Sequence, residues 1–564
     1  MTIINTVIFI SYYFLFLFSV LGFGLLFCKF SNIFSNKINL GAIGLLGFCF
    51  LSFISYFTNL FFSHNFIHNI IIHSVGIISL FFFINKEKFY INENLKKLLL
   101  VSCLVISGLF ISKNNEDFPY YHLSYVINLI DSNTIIGLGN LNSAYRTPSS
   151  LFYFNSLLYL PYIKYYLFHS SGIYILTFAN FFLLEIFFYL KKNNNFIVIL
   201  SSLIFIFINT VFNRLAEYGT DRAGHIIVLI IFIYLFNILN SKKLEKNNIK
   251  IVTLLIIFIV TMKAYFIVYF SLFAFIIFNI VKFNKLEIFK KELKFLIIIL
   301  SFFLIFILIN FLTSGCLIYP LRFSCFDKLI WAPTLDSIIG HGKWFELWAK
   351  AGATPNYRVA DPENYVLFLN WVPNWINSYF FFKFTDTLLS IVIIIFIYFL
   401  IFFKNKNKTI TKKKTKIKNF KSLYILVIIL FFIWFFKHPD LRYGGYPLLA
   451  LLFFMPVSKF FSKFEFKKIT VKKNFLIIII LVFLFYNFKN ISRINSEFNR
   501  IDKYKYNNFP FFYIENTNYQ KFIKENGIAI YEPINNNCWA TPAPCAGRNT
   551  KVEKFLFFKV FYGK

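Results

Sequence analysis

The chain has 564 residues, of which 58% are hydrophobic and 22% aromatic, and its formal net charge is +33. The positive charge is spread over short loops between long apolar runs, so it indicates membrane topology and excludes a nucleic-acid-binding surface. Many runs reach the roughly 20 residues that a helix needs to cross about 30 Å of hydrocarbon. Because backbone groups in lipid must be satisfied within a segment, the sequence predicts an all-α, polytopic transmembrane bundle.

About fourteen transmembrane helices are predicted by length and hydropathy. In chain order they lie near 5–28, 40–62, 66–85, 96–112, 172–190, 195–212, 223–240, 249–262, 264–281, 294–315, 384–403, 422–437, 443–460 and 474–488. Lys-rich loops are cytoplasmic by the positive-inside rule, at 29–39, 86–97, 191–195, 241–250, 282–294, 404–421 and 459–473. The first span has Lys29 just after it and no basic residue before it. We therefore expect an uncleaved inner (plasma) membrane protein with both termini extracytoplasmic.

One apolar stretch, residues 151–168, would invert this topology if it crossed the membrane. We interpret it as an amphipathic or half-embedded helix in an extracytoplasmic segment. The predicted domains are N-terminal spans (1–112), a first outer loop (113–171), a core bundle (172–315), a large outer loop (316–383), C-terminal spans (384–488) and an outer tail (489–564).

Two close cysteine pairs fall on the predicted outer side, Cys316 with Cys325 and Cys538 with Cys545. Close pairs in an oxidising compartment are typical of disulfides, which we predict for both. A zinc site is the weaker alternative, because no His or second Cys pair lies at ligand spacing.

All nine arginines are placed on the outer side, whereas the cytoplasmic loops use Lys. The planar guanidinium fork binds phosphate or carboxylate through two parallel hydrogen bonds, which Lys cannot do. Function is favoured for Arg146, Arg222 and Arg442, which lie near embedded segments. Structural ion pairs in folded loops are the alternative.

The motif N-E-D-F-P-Y-Y-H-L at Asn115–Leu123 directly follows the fourth predicted span. Glu116, Asp117 and His122 are the catalytic candidates, with the two carboxylates as a general base or as ligands of a divalent ion. The alternative is a helix cap, with Asp117 as N-cap and Pro119 in the first turn.

Three further segments place ionisable groups beside hydrocarbon, where they are expensive unless paired or used. The first segment, E-Y-G-T-D-R-A-G-H, contains Asp221 and Arg222. The alternative to a functional role is that these two residues form a structural ion pair with each other. Lys263 stands alone between two apolar runs and is a candidate for binding an anionic headgroup. H-P-D-L-R-Y-G-G-Y-P puts His438 and Arg442 in one turn, as an active-site rim or a plain cap. The segment 341–348 is predicted to be an interfacial helix with Trp anchors.

In the order and placement of these motifs, the chain resembles the GT-C superfamily of membrane glycosyltransferases. The acidic motif at Glu116 and Asp117 opens the first outer loop, and P-S-S-L-F-Y at 148–153 follows it. The chain also resembles uncharacterised bacterial polytopic proteins that pair Y-H-L, G-C-L-I-Y-P and C-W-x-x-P-x-P-C segments. It departs from the GT-C pattern in its first three spans and in having Glu-Asp rather than Asp-Glu.

The GT-C resemblance implies transfer of a sugar from a polyprenyl-phosphate donor on the outer face of the membrane. Asp117 or Glu116 would act as base or metal ligand. The implied substrate-binding residues, at the carrier phosphate or the rim of the site, are Arg146, Asp221, Arg222, Lys263, His438 and Arg442. The sequence leaves open whether a divalent metal serves as cofactor. The expected partners are the lipid bilayer and a lipid-linked sugar, not nucleic acid, and protein partners stay open.

Three alternatives remain open from the sequence. An O-antigen ligase or polymerase would depend on Arg358 or His341 rather than on Asp117. A transporter or flippase of lipid-linked glycans would place ionisable groups near the bilayer midplane, where only Glu185 lies well inside a predicted span. A structural assembly protein would use the polar outer face for docking.

Overall fold

The computed structural model of the chain is mostly helical. It describes residues 2–33, 38–86, 88–110, 117–188, 195–216, 220–241, 245–282, 292–353, 359–403, 417–464, 468–500, 517–534 and 538–563. Glu116 and Arg358, both singled out from the sequence, lie outside the described residues.

The α-helices of the described chain, numbered in order, are α1 (Thr2–Phe30), α2 (Leu40–Asn59), α3 (Phe66–Lys86), α4 (Lys88–Val105), α5 (Leu123–Asp131), α6 (Ser150–Leu157), α7 (Ser171–Phe188), α8 (Asn195–Val211), α9 (Asp221–Asn240), α10 (Lys246–Met262), α11 (Phe273–Lys282), α12 (Leu293–Ser314), α13 (Leu335–Lys350), α14 (Pro362–Tyr365), α15 (Val372–Trp375), α16 (Thr385–Phe403), α17 (Phe420–Lys437), α18 (Gly445–Phe461) and α19 (Lys468–Arg500). A 3₁₀ segment over Ala264–Leu272 precedes α11, and π-helical segments over Phe118–His122 and Ile376–Phe384 precede α5 and α16.

Eight helices among the described residues are long and apolar enough to cross a membrane. They are α1, α2, α3, α9, α12, α17, α19 and the continuous helix Val372–Phe402. All-α architecture and multi-pass membrane character are thereby confirmed. Every one of the predicted spans overlaps a helix, although several of these helices, such as Ser171–Phe187 and Phe196–Val211, are shorter than a full crossing.

The predicted amphipathic helix over 151–168 is wrong in its extent and environment. Helix α6 ends at Leu157, and every one of its residues is buried inside the bundle rather than at an interface. Turns follow at 161–170, where Tyr162 and Lys164 have positive φ angles of 67° and 43°, which no helix tolerates. Buried polar contacts hold α6 in place, including a 2.6 Å hydrogen bond between Ser156 Oγ and His64 Nδ1.

Described residues of four of the loops predicted to be cytoplasmic, 29–39, 241–250, 282–294 and 404–421, lie at one end of the bundle. Lys250 Nζ donates to the carbonyls of Ser31 (3.2 Å) and Asn32 (3.3 Å) and forms a 2.7 Å ion pair with Glu292. Lys418 N donates to Asn240 Oδ1 at 2.9 Å. Contacts at the opposite end join the segments predicted to be outside, as described below. Helices α9, α10, α12 and α17 therefore traverse the body of the protein from one end to the other.

Both predicted disulfides are present. Cys316 is bonded to Cys325 and Cys538 to Cys545. The first closes the loop that follows α12, where Gly315 ends the helix with a φ of 71°. The second closes a loop in the C-terminal part of the chain.

The C-terminal residues form two antiparallel hairpins. Strand β1 (Tyr519–Ile523) pairs with β2 (Ala529–Pro533), with Tyr519 opposite Pro533. Strand β3 (Val552–Phe555) pairs with β4 (Phe558–Phe561), with Val552 opposite Phe561. Strand β4 then adds to the first loop, since Ile136 N donates to Lys559 O and Phe561 N to Ile136 O, each at 2.9 Å. The predicted tail (489–564) thus begins as the last turns of α19, which ends at Arg500, and its described residues from 517 onward include a β unit that packs on the end of the bundle bearing the first loop.

Candidate functional site

Four residues predicted separately from the sequence converge in one ionic centre, which consists of Asp117, Asp221, Lys263 and Arg442. Arg442 Nη2 lies 3.0 Å from Asp117 Oδ2, and Arg442 Nε lies 3.2 Å from Asp221 Oδ2. Lys263 Nζ lies 2.9 Å from the other oxygen, Asp221 Oδ1. Each residue comes from a different segment: the turn before α5, the start of α9, the end of α10 and the turn before α18. The centre therefore depends on the assembled bundle.

The two carboxylates of the ionic centre differ in accessibility. The Asp221 side chain is only 7% exposed and lies between two cations, whereas those of Asp117 and Arg442 are each 33% exposed. A buried carboxylate that is paired on both oxygens is suited to holding its cations in place. Asp117, at the open side, is the carboxylate of the pair that a substrate reaches more easily.

Arg442 is positioned by the turn between α17 and α18. Asp440 Oδ1 accepts a 3.1 Å hydrogen bond from Arg442 N and a 2.6 Å bond from Tyr379 Oη. Burial raises the pKa of the Asp440 carboxyl, although Arg442 acts in the opposite direction. The guanidinium lies 5.5 Å from the ring centre of Trp348, at the distance of a cation–π contact. Because these contacts hold both the backbone and the side chain of Arg442, its guanidinium is preorganised before any substrate binds.

The carbonyl of Arg442 is held as well, since His225 Nε2 lies 3.1 Å from Arg442 O and 3.1 Å from Tyr265 Oη. His225, from E-Y-G-T-D-R-A-G-H, therefore has a positioning role. Of the residues that build this turn, Tyr379 and Tyr265 were missed by the sequence analysis, and Trp348 was predicted only as a membrane anchor. Their ring types alone gave no signal in a chain that is 22% aromatic.

Asp117 precedes the π-helical turn Phe118–His122, which leads into α5. Asp117 occupies the N-cap position with Pro119 in the first turn, as the alternative interpretation predicted, but its backbone is helical and its side chain makes no capping hydrogen bond. The carboxylate binds Arg442 instead. One-turn π segments often occur at functional sites, because the extra residue redirects side chains.

His122 is buried against Phe152, with ring centres 4.9 Å apart, and against Tyr121. Burial lowers the pKa of His122 to about 4, with Asp117 acting in the opposite direction, so the imidazole is neutral at neutral pH. Its Nε2 makes no hydrogen bond within the described part of the chain. His122 thus belongs to the packed wall behind the ionic centre.

Arg146 belongs to a second cluster, the Tyr319 network, made of Arg146, Tyr319, Ser337 and His341. Arg146 Nη1 donates to Ser337 Oγ (2.9 Å) and Tyr319 Oη (3.3 Å), and Tyr319 Oη lies 2.7 Å from His341 Nδ1. Burial, and then the charge of Arg146, lowers the pKa of His341 to about 4, so this imidazole is neutral too.

A small cavity of about 20 Å³ lies between Lys263 of the ionic centre and Tyr319. Its lining includes Thr147, Pro148, Met262, Lys263, Asn310 and Tyr319. Lys263 and Tyr319 thus bring one member of each cluster to the same space, which has room for about one water molecule.

Arg222 and His438 lie outside the ionic centre. Arg222 packs over the rings of Phe212 (5.7 Å) and Tyr446 (5.8 Å). The alternative interpretation expected Asp221 to pair with Arg222. The two ion pairs of Asp221 described above are instead with Lys263 and Arg442. His438 lies 5.6 Å from the Tyr443 ring, and burial lowers its pKa. Both residues therefore border the turn of Arg442.

A divalent metal fits the described residues poorly. Among them, no group of three His, Cys, Asp or Glu side chains is arranged to hold an ion. Both carboxylates of the ionic centre are already paired with cations, whereas divalent ions such as Mg²⁺ require oxygen ligands with net negative charge. The described donor set suits proton transfer and anion binding better than metal coordination.

Together, the helices and this polar end define a multi-pass membrane protein with a candidate site at one end of its bundle. A family model described as a domain of unknown function (DUF8201) matches residues 6–449. The chain belongs to this family, and the match includes all four residues of the ionic centre. Neither the curated proteins nor the solved structures contain a significant match.

Proposed function

We propose that the chain is an integral membrane glycosyltransferase of the GT-C type, with about fourteen spans. It transfers a sugar from a polyprenyl-phosphate donor to an acceptor on the extracytoplasmic face. The observation that carries the proposal is the ionic centre itself, in which the partly exposed carboxylate of Asp117 lies beside two fixed cations, one of which, Lys263, lines a small cavity. The motif order that resembles GT-C enzymes supports it, and fold analogy alone would not suffice.

In this proposal the end of the bundle that bears the ionic centre faces outward. Two observations support this orientation. Both disulfides lie in segments at that end, and disulfides persist in oxidising compartments. The Lys-rich loops gather at the opposite end, where the positive-inside rule favours the cytoplasm.

The chemistry assigns a role to each residue of the centre. Asp117 takes the proton of an acceptor hydroxyl as the acceptor oxygen bonds to the anomeric carbon of the donor sugar. The bond between the anomeric carbon and the phosphate oxygen breaks, and its electron pair leaves with the lipid phosphate. Lys263 and Arg442 stabilise the negative charge that develops there. Asp221 positions both cations.

The test is transfer of radiolabelled sugar from a panel of polyprenyl-phosphate donors, measured in membranes at matched expression. We expect Asp117→Asn to lower transfer by about 10²-fold or more, the usual contribution of a general base. Asp336→Asn is the matched control, because Asp336 is an exposed acid on the neighbouring helix α13. Equal transfer by wild type and Asp117→Asn would remove Asp117 from the mechanism.

An O-antigen ligase or polymerase is the second candidate, favoured by one observation. His341 lies on the Tyr319 network, across the same cavity from Lys263. A ligase would lose activity in His341→Ala and retain it in Asp117→Asn. Donor binding without transfer in any of these proteins would instead favour a flippase of lipid-linked glycans.

A further inference from the structure

Helix α13 presents one polar and aromatic face toward the Tyr319 network and the ionic centre. Residues 337, 341, 345 and 348 follow one another at three or four positions, as do 341, 344 and 348, and this spacing aligns them along one side of a helix. Ser337 contacts Arg146, His341 contacts Tyr319, and Trp348 contacts Arg442. This face therefore connects the Tyr319 network at one end with the ionic centre at the other. We call it the α13 face.

Aromatic rings stack on one another along the α13 face, and part of this stack is exposed to solvent. Trp344 and Trp348 have ring centres 6.3 Å apart with an interplanar angle of 25°, and His341 stacks on Phe345 at 4.6 Å. The Trp344 residue is 44% exposed. These positions were predicted to be interfacial membrane anchors, but Trp348 packs on Arg442 and on the Tyr443 ring (6.0 Å). The rings thus extend from the ionic centre to solvent.

We propose that the α13 face is the acceptor subsite and that it binds a saccharide. A pyranose ring offers an apolar C–H face that packs on indole, and hydroxyl groups that bond to polar groups at the edge of the ring. Trp344 and Trp348 supply the aromatic surface, and the Tyr319 network supplies donors and acceptors. This inference rests on the proposed function, and it adds the substrate class of the acceptor.

The placement of charge assigns this face to the acceptor rather than to the donor. A donor phosphate requires cations, and Lys263 and Arg442 supply them in the ionic centre, next to the buried Asp221. The α13 face begins beside those cations and ends at the exposed ring of Trp344. An acceptor chain that enters from solvent therefore meets Trp344 first and reaches Asp117 with its terminal hydroxyl.

The test is equilibrium binding of fluorescently labelled oligosaccharides to the full-length protein in detergent. The probes are tetrasaccharides of glucose, galactose, mannose and N-acetylglucosamine. We expect at least one to bind, and Trp344→Ala to weaken it about five- to tenfold, as loss of one ring contact predicts. Phe368→Ala is the control, since Phe368 is an 88% exposed ring in the same large loop. Equal weakening by both variants, or no binding by any probe, would overturn the inference.

Binding and transfer together separate the two proposals. Saccharide binding that depends on Trp344, without any transfer, would retain the subsite and reject the transferase. Transfer for which Trp344→Ala leaves the acceptor KM unchanged would retain the transferase and reject the subsite. If the transferase and the subsite are both correct, Trp344→Ala raises the acceptor KM and leaves the donor KM unchanged. A general loss of folding does not produce this selective change.

Discussion

Asp117 and Arg442 are 325 positions apart in the chain, and their side chains form a 3.0 Å ion pair at the open side of the bundle. The same guanidinium reaches Asp221 through Nε. Arg442 thus divides its donors between an accessible and a buried carboxylate. A phosphate that binds Arg442 competes with Asp117 and frees its carboxylate, whereas the deeper pair with Asp221 stays in place.

Arg442→Lys tests whether the fork itself is required. Lysine keeps the positive charge but cannot bond to both carboxylates with a planar fork, so a phosphate and Asp221 cannot be held together. We expect sugar transfer to fall by about 10²-fold or more, the size of losing one charge-stabilising donor. Arg322→Lys, at an exposed arginine of the large loop, is the control. Near-normal transfer by Arg442→Lys would mean that charge alone suffices.

Asp221→Asn tests the structural role of the buried carboxylate. Removing its charge leaves Lys263 without its counter-ion in the ionic centre and Arg442 with Asp117 alone, and breaking a buried pair typically costs about 3–5 kcal/mol. We expect Asp221→Asn to have a lower thermal midpoint than wild type in detergent, measured by fluorescence-detected size-exclusion chromatography.

Lys263→Met supplies the matched variant for Asp221→Asn. Adding Lys263→Met to Asp221→Asn removes one of the uncompensated cations, so the double variant is expected to regain part of the lost stability. Strictly additive losses in the two variants would argue against an energetic coupling of Asp221 with Lys263.

Helix α12 allows a test of orientation at its two ends. Lys294 lies in its first turn, at the end where Lys250 binds Glu292, and Lys328 follows the disulfide loop at the other end. In intact cells, a membrane-impermeant maleimide is expected to label Lys328→Cys and not Lys294→Cys. Permeabilised cells serve as the control, because both variants then react. The opposite labelling pattern would invert the proposed topology.

Glycines set the spacing of the first helices. A Cβ on Gly47 of α2 would clash with the carbonyl of Val20 and the backbone nitrogen of Gly24 in α1. Neither can move away without shifting the helix, because both belong to its backbone. Gly47→Ala is therefore expected to destabilise the protein by about 1–3 kcal/mol through overpacking. Gly340→Ala is the control, because that position in α13 has open space around it. It is expected to stabilise by about 0.5–1 kcal/mol or to be neutral. Thermal midpoints compare the two.

The helices were predictable because hydrocarbon imposes a single requirement on them. Each backbone group must bond within its own segment, so length and hydropathy locate the segments without any knowledge of their neighbours. Residues of the ionic centre were found for a related reason. Charged side chains such as Asp221 and Lys263 beside apolar runs are expensive in lipid, and this makes them visible in a sequence.

What the sequence did not reveal depends on tertiary packing. Nothing in the sequence around Trp348 or Tyr379 separates them from the many aromatic residues that only fill space, because their roles come from segments distant in the chain. Helix α6 was misjudged for the same reason. Its apolar residues indicate burial, but composition does not distinguish burial by protein from burial at a lipid interface. His64 and Asn69, which hold it, belong to other elements.

Ile136 pairs through its backbone with strand β4 at the far end of the chain, and Asn140 Nδ2 bonds to Phe561 O, 421 positions later. During synthesis, the first outer loop must therefore wait until nearly every later segment has been inserted. An incomplete chain carries Asp117 on an unfinished loop. For the transferase we propose, catalytic competence would thus be coupled to the insertion of the whole chain, and a partly inserted protein would not act prematurely on lipid-linked substrate.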